Sequence, residues 1–184
     1  SFRNIIDILK DTKYFKDKKP FIVHRLDKET SGVMIVAKNR EYAQLFTTLF
    51  RIRKIHKTYI AIAHGEVKKN LNLLKDNLIT YEGNKKVIQK AISYLKIIKS
   101  NSEYTLLELK PITGRKHQIR KQLYNIGNPI VGDQKYSIKP TNKKLKLKNL
   151  MLHASKIKFM INDVKYNFET NFGDEFEHFI KKKF

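Results

Sequence analysis

The sequence predicts an α+β fold with a mixed, largely antiparallel central β-sheet and flanking helices. Two observations support this prediction. The strand patterns follow one another in hairpins rather than alternating with helices, which favours antiparallel pairing over a parallel α/β sheet. Helical spacing is confined to a few segments with recognisable start or stop signals. The 184 residues suffice for one domain with a substantial core, so we expect a single domain over residues 1–184.

The first third of the chain predicts two short strands and one helix. An apolar run at residues 33–37 predicts the first strand. Asn39 is suited to cap a helix. The apolar residues of this helix recur at three-to-four spacing, at Tyr42, Ala43, Leu45, Phe46, Leu49 and Phe50. Residues 58–63 predict the next strand.

The rest of the chain predicts hairpins and two further helices. Strands at residues 91–98 and 104–109 are joined by a polar turn, and an earlier hairpin turns at residues 82–84. Residues 116–126 have helical spacing, and Gly127 follows as a C-terminal stop. The closing elements are strands at residues 152–161 and 165–170, then a helix at residues 174–183 with acids in its first turn and lysines in its last.

The composition is strongly basic and excludes several kinds of site. Lys and Arg number 39 against 17 Asp and Glu, a formal charge of +22. Cysteine is absent, which excludes a disulfide scaffold, a zinc ribbon, an iron–sulfur centre and a cysteine nucleophile. The longest stretch without a charged residue has 11 residues, against about 18 for a membrane span. Because no secretory signal is found either, we expect a cytoplasmic protein without a membrane partner.

This charge calls for an anionic partner, and nucleic acid is the usual one because each neutralised phosphate releases counterions. Residues 139–148 hold five lysines and no acid, with Pro140 and Asn142 as helix and strand breakers, so we expect an exposed loop. Its lysines are either a solvated surface or phosphate contacts, and a biased genome composition is another source of lysine. The candidates for phosphate contact are Lys143, Lys144, Lys146 and Lys148.

The most informative polar segment is residues 24–32, HRLDKETSG, between two apolar runs. A polar loop mounted between strands is a common place for a functional site. Asp27 has two interpretations. It makes turn hydrogen bonds with its neighbours, or it is a carboxylate near Arg25 that cationic surroundings keep ionised and available as nucleophile or base.

Two more segments carry polar residues of interest. In one, Thr113 and Gly114 stand at a strand-to-helix junction, followed by basic side chains that suit an anion or an exposed helix start: Arg115, Lys116, His117 and Arg120. In the other, Tyr59 shares a strand face with Ala61 and Ala63. Small neighbours leave room for a flat group against the ring, although most strand tyrosines are core residues.

Four blocks occur together in one order: HRLDKETSGVMIVAK, KTYIAIAHG, LKPITGRKHQIRKQLYNIGNPIVGDQKY and LMLHASKIKF. They resemble the RluA-type pseudouridine synthases, most closely the branch that modifies large-subunit ribosomal RNA, over about residues 21–168. The resemblance implies the pseudouridine synthase fold with an RNA-binding cleft, and isomerisation of specific uridines to pseudouridine, most simply in 23S ribosomal RNA. It implies no cofactor and no metal, and we expect a monomer whose partner is RNA.

The resemblance also assigns roles to residues. Asp27 matches the catalytic aspartate, which either attacks the sugar C1′ or promotes a glycal by removing a sugar proton. Tyr59 matches the tyrosine that stacks on the target base. Arg115 matches the arginine that pairs with the aspartate, and Arg25 the arginine that fills the space left by the flipped nucleotide. Further RNA contacts are expected from Lys116, His117 and Arg120. Base flipping is needed because a stacked uridine hides the bonds that break.

The chain departs from the family pattern at Gln122, where histidine is usual, and at Ser137, where glycine is usual. By this comparison we expect a catalytic domain without the family's N-terminal strand and without an S4-type RNA-binding domain before the HRLD block. Alternative functions are a synthase acting on tRNA and a non-catalytic RNA-binding protein on the same fold. A glycoside hydrolase needs two facing carboxylates, and Glu29, the only acid near Asp27 in sequence, shares its turn. Metal-dependent nuclease activity lacks an acidic cluster.

Overall fold

The computed structural model describes residues 5–16, 18–137 and 149–184. The chain divides into two compact units, each described by itself. The first comprises Ser1–Leu26 and Met34–Ile55, and the second comprises Asp27–Val33 and His56–Phe184. The single domain expected over residues 1–184 stays a prediction. In chain order the elements are α1 (Ile5–Lys10), β1 (Phe21–Ile22), β2 (Ser31–Gly32), β3 (Val36–Ala37), α2 (Arg40–Arg51), β4 (His56–His64), β5 (Leu73–Glu82), β6 (Lys85–Ser100), β7 (Tyr104–Pro111), α3 (Gln118–Asn125), β8 (Leu152–Ile161), β9 (Val164–Glu169) and α4 (Asp174–Lys183).

In the first unit, a two-stranded antiparallel ladder of β1 and β3 accompanies α1 and α2. The predicted cap of α2 is confirmed, because the Asn39 side-chain Oδ1 accepts a hydrogen bond from the Tyr42 N–H at 3.0 Å. Phe46 is the buried residue of α2. Its amphipathic spacing therefore gives this helix one inward face, as the sequence predicted.

The second unit is built on a sheet with the strand order β2-β8-β4-β7-β6-β5, and β9 pairs with β8. Every pairing described in this sheet is antiparallel except that of β2 with β8. The fold class is therefore α+β with a largely antiparallel sheet, as predicted. The predicted hairpins are confirmed, including the turn between β5 and β6.

The apolar core of this unit draws on both faces of the sheet. The inward residues of α3 are Ile119 and Leu123, which join a cluster with strand residues such as Leu107. α4 contributes Phe176 and Phe179, and the ring of Phe179 meets Tyr104 edge-on at a centroid distance of 5.1 Å. This packing fixes α3, the helix that carries Arg120 and begins directly after Arg115, Lys116 and His117.

A buried polar network joins α3 to β6. The Gln118 Oε1 accepts from the Thr113 hydroxyl at 2.7 Å, and its Nε2 donates to the Ser93 Oγ at 2.9 Å. The Ser93 hydroxyl in turn donates to the Gln122 Oε1 at 2.7 Å. Because breaking a buried hydrogen bond costs the desolvation of the partner left behind, this network fixes where α3 begins.

One predicted strand is wrong in its bounds. Residues 33–37 are not one strand, because the chain passes from β2 in the second unit to β3 in the first. Two-residue strands show no alternation, so their ends are not visible in the sequence.

Among the described residues, no helix has the length and apolar character that crossing a membrane requires.

Candidate active site

Asp27 lies in the second unit, in the loop that leads into β2. Its side chain is 22% exposed, so one part of the carboxylate is accessible. The Oδ2 is 3.5 Å from the Arg120 Nη1, and the Oδ1 is 3.8 Å from the His117 Nε2. Both distances exceed those of a strong charge-assisted hydrogen bond. The carboxylate therefore has cationic and polar neighbours without being saturated by them.

Arg120 is held by a second carboxylate that the sequence analysis did not identify as part of the site. Its Nε donates to the Asp133 Oδ2 at 2.7 Å, and its Nη2 donates to the Asp133 Oδ1 at 2.8 Å. Both side chains are buried, at 5% and 0% exposure. The hydrogen bonds that Arg120 donates to Asp133 are the main cause that raises the pKa of Arg120 above its usual value. This bidentate pair fixes the guanidinium plane and leaves Nη1 directed at Asp27.

Asp133 is itself fixed by the backbone that follows it. Its Oδ1 accepts the N–H groups of Lys135 and Tyr136, both at 2.9 Å. Gly132, which precedes it, has φ +83, and a Cβ there would overlap the Asn149 carbonyl. Only glycine fits this backbone at that position. The turn after Ile130 therefore places the Asp133 carboxylate within hydrogen-bond distance of Arg120.

Two more side chains lie beside this pair: His117 next to Asp27 and Tyr136 next to Arg120. His117 adopts the left-handed conformation, φ 55, immediately before α3. Its Nδ1 is 2.9 Å from the Tyr136 hydroxyl, and the Tyr136 ring lies over the Arg120 guanidinium, with 5.2 Å between the ring centroid and Cζ. Burial is the main cause that lowers the pKa of His117, with Asp27 acting in the opposite sense. His117 is therefore neutral at neutral pH, and Arg120 is the cation next to Asp27.

Tyr59 is positioned by β4, between Leu109 of β7 and Ala154 of β8 in the sheet register. Burial, followed by the negative charge of Asp27, raises the pKa of Tyr59 to about 12. The phenol is protonated at neutral pH, so it can donate a hydrogen bond there.

The expected pairing of Arg115 with Asp27 is wrong, because the arginine next to Asp27 is Arg120. The Arg115 Nε donates instead to the Lys90 carbonyl at 3.2 Å, and its backbone N–H donates to the Gln118 Oε1 at 3.0 Å. The physical reason is the start of α3. Arg115 precedes the helix and lies along β6, whereas Arg120 projects from the first helical turn.

The remaining predicted RNA contacts are either exposed side chains or residues outside the described ranges. Lys116 is exposed. Arg25 is also exposed, and within the described part of the chain it makes no hydrogen bond or ion pair. The four loop lysines lie outside the described residues: Lys143, Lys144, Lys146 and Lys148.

Asp133 and Tyr136 are the two site residues that sequence reasoning missed. Both lie in the quoted block GNPIVGDQKY. A lone acid after an apolar run and a glycine was the available signal, in a chain where acids are scarce. Across the ranges that the structure describes, no group of three or more side chains could hold a metal ion.

The chain matches one protein-family model and several named proteins. The family model described as RNA pseudouridylate synthase matches residues 1–125. A protein of Buchnera aphidicola named ribosomal large subunit pseudouridine synthase C is 37% identical over 150 residues, which is 75% of this chain and 48% of that protein. A Haemophilus ducreyi protein named tRNA pseudouridine synthase C is 33% identical over 160 residues, covering 76% of this chain and 66% of that protein.

The fold has a solved counterpart. The structure of human RNA pseudouridylate synthase domain containing 4 superimposes with a TM-score of 0.76 at 27% identity, over 97% of this chain and 80% of that one. The chain spans about half the length of the large-subunit relatives it matches.

Proposed function

Because the chain belongs to the RNA pseudouridylate synthase family, we propose that it isomerises specific uridines in RNA to pseudouridine with Asp27 as the catalytic carboxylate. The reaction breaks the bond between the sugar C1′ and N1 of the base, and it forms a bond between C1′ and C5. The proton on C5 is lost and N1 gains one, so substrate and product have the same composition. The reaction therefore needs no oxidant and no external group donor.

The observation that carries this proposal is the contact of Asp27 with Arg120, a buried arginine that Asp133 holds in a bidentate pair. Both routes open to the carboxylate, attack on C1′ and removal of a sugar proton, require the ionised form. A neighbouring cation favours that form. Arg120 thus takes the positioning role that the sequence resemblance gave to Arg115.

Tyr59 supplies a flat surface beside the carboxylate. Stacking on an aromatic side chain is worth about 1–3 kcal/mol per base, which offsets part of the few kcal/mol needed to extrude a base. With its pKa raised to about 12, the phenol is a poor base at neutral pH. We therefore assign it to stacking and to hydrogen-bond donation rather than to proton abstraction in the resting state.

Large-subunit ribosomal RNA is the substrate we propose, and its support is the name of relatives that cover three quarters of this chain. A tRNA substrate is the second candidate, since one relative of similar coverage has a tRNA name. We further propose that the protein acts in the cytoplasm, as a monomer, without a metal ion or cofactor. Arg25 and Lys116 are proposed as RNA contacts.

The test uses the 184-residue chain with unmodified large-subunit ribosomal RNA and unmodified tRNA, followed by chemical mapping of pseudouridine. We expect new pseudouridine with the wild type and none above background with D27N. The variant is nearly isosteric, and RNA binding measured in parallel should be retained. Equal absence of product from wild type and D27N on every RNA, with both still binding, would establish a non-catalytic RNA-binding protein instead.

A further inference from the structure

His153, in β8, is buried at 2% exposure and makes two polar contacts. Its Nδ1 is 2.8 Å from the Ser31 Oγ, and its Nε2 is 3.3 Å from the Thr170 carbonyl oxygen. Among the described residues, its ring contacts are with Phe172 and Phe176, at centroid distances of 5.2 and 6.2 Å, and no charged side chain pairs with it. A buried histidine without a charged partner calls for an explanation.

The two contacts determine which nitrogen carries the proton. A carbonyl oxygen only accepts hydrogen bonds, so Nε2 carries the proton toward Thr170. Burial is the main cause that lowers the pKa of His153, and the ring is neutral at neutral pH. Nδ1 then has a free lone pair, and the Ser31 hydroxyl donates to it.

Ser31 belongs to β2, the two-residue strand that follows Asp27. In the parallel register, Ser31 faces His153 and Gly32 faces Ala154. The Val33 N–H donates to the Ala154 carbonyl at 2.9 Å, and Gly32, at φ +119, lies so close to Ala154 that a Cβ would overlap its carbonyl. So short a strand has few backbone bonds, which makes a side-chain bond to a buried partner a large part of its attachment.

The hydrogen bond at Ser31 also restricts where Asp27 can lie, because a tight turn joins the two residues. The Thr30 N–H donates to the Asp27 carbonyl at 2.9 Å, and only three residues separate Asp27 from Ser31. The contact between Asp27 and Arg120 is long, at 3.5 Å. A contact of that length is too weak to fix the carboxylate by itself.

We propose that His153 is a positioning residue that holds the loop carrying Asp27 through the hydroxyl of Ser31. This inference rests on the proposed function, because it concerns the placement of the proposed catalytic carboxylate. Among the described residues, the side-chain hydrogen bonds of His153 and Ser31 involve each other and the Thr170 carbonyl, not Arg120. Their effect is therefore on the rate of the chemical step more than on RNA affinity.

The test compares substitutions that keep or remove one atom of this contact. S31A removes the donor and S31T keeps it. H153N keeps an acceptor near the Nδ1 position, whereas H153Q keeps a polar group near Nε2 only. We expect S31A and H153Q to lower the single-turnover rate of pseudouridine formation about tenfold, the effect of one lost hydrogen bond, with the dissociation constant for RNA unchanged. S31T and H153N should stay within about threefold of the wild type.

A matched control and a stability measurement separate positioning from folding. S155A removes another hydroxyl of β8, which donates to the Thr58 carbonyl at 3.1 Å, and the rate should be unchanged. H153N leaves the larger cavity of the two histidine variants, so a purely structural role predicts that it is the worse enzyme. A full rate with S31A, or H153N as impaired as H153Q, would overturn the proposal.

Amide hydrogen exchange provides a readout that does not depend on activity. With S31A, exchange at Thr30 and Val33 should become faster than in the wild type and in S155A. If the wild type makes no pseudouridine but this exchange difference is seen, the proposed function fails and the attachment of the loop stands. If the exchange rates of S31A equal those of the wild type, the attachment fails whatever the activity.

Discussion

Two regions of the second unit carry clustered positive charge, and they hold it in opposite ways. Around Asp27, Arg120 is buried and bound at two atoms by the fully buried Asp133. At the other region, a cavity of about 330 Å³ at the sheet surface is lined by side chains that include Lys110, Lys156 and Lys158. There Lys110 and Lys156 reach Glu108 and Glu169 at 3.0 and 2.6 Å, but these pairs are at least partly exposed.

The difference teaches that burial, more than the number of charges, decides which cation has a structural and chemical role. Exposed ion pairs contribute about 0–1 kcal/mol. Removing one partner of a buried pair costs about 3–5 kcal/mol, because the other charge is left without compensation. Arg120 is therefore fixed in place, whereas the lysines around the cavity are held loosely.

The largest expected effect follows from removing the buried cation. R120M should lower the free energy of unfolding by about 3–5 kcal/mol, since the buried Asp133 carboxylate would lose its compensating positive charge. K110M is the matched change at the exposed pair, and it should cost less than about 1 kcal/mol. Urea denaturation measures both values. Similar losses for the two variants would show that the contrast between the regions has no energetic meaning.

A smaller change tests geometry rather than charge. R120K keeps a cation but loses the bidentate bond to Asp133, so Asp27 loses its oriented neighbour. We expect roughly a 10- to 100-fold lower rate of pseudouridine formation. R115K changes an arginine whose Nε meets only a carbonyl, and its loss should be smaller. Single-turnover assays on the same RNA compare them, and a larger loss with R115K would restore the pairing expected from the sequence.

Tyr59 gives a pH-dependent test of burial at the catalytic face. Its pKa is raised from 10.0 to about 12, so between these values the folded state keeps a proton that the unfolded state releases. Stability should therefore fall as the pH rises through this window, by up to about 1.4 kcal/mol per pH unit. Ultraviolet titration of wild type against Y59F should yield a difference with a midpoint near 12. A midpoint near 10 would mean that the ring is solvated.

The smallest expected effects concern the exposed lysines. Replacing Lys143, Lys144, Lys146 and Lys148 with glutamine should flatten the salt dependence of RNA binding, because each phosphate contact contributes about one unit or less to the slope. The comparison is a triple replacement of Lys110, Lys156 and Lys158. It should change the slope less, since two of those lysines already pair with acids. Equal slopes for the two sets would place RNA on both surfaces or on neither.

Most of the fold was visible in the sequence. The helix α2 and the strands β4, β7 and β8 were predicted to within about two residues, since long periodic segments carry a strong local signal. β6, expected at residues 91–98, begins six residues earlier, at Lys85. The strands β2 and β3 were not separated. A two-residue strand forms only because another strand supplies its hydrogen-bond partners. The sequence of residues 31–37 does not indicate where that partner strand lies.

The same division applies to the site. The sequence by itself determined the chemistry available, a carboxylate in a polar loop and an aromatic ring on a strand of small residues, because those properties belong to single residues and their neighbours. Spacing alone offered Arg115 and Arg120 as two basic residues five positions apart, and the resemblance assigned the pairing with Asp27 to Arg115. Only the tertiary structure decided between them, by starting α3 at Gln118 and placing Asp133 within reach of Arg120. Pairing across 13 residues, or across the 93 that separate Asp27 from Arg120, depends on packing, which no local pattern encodes.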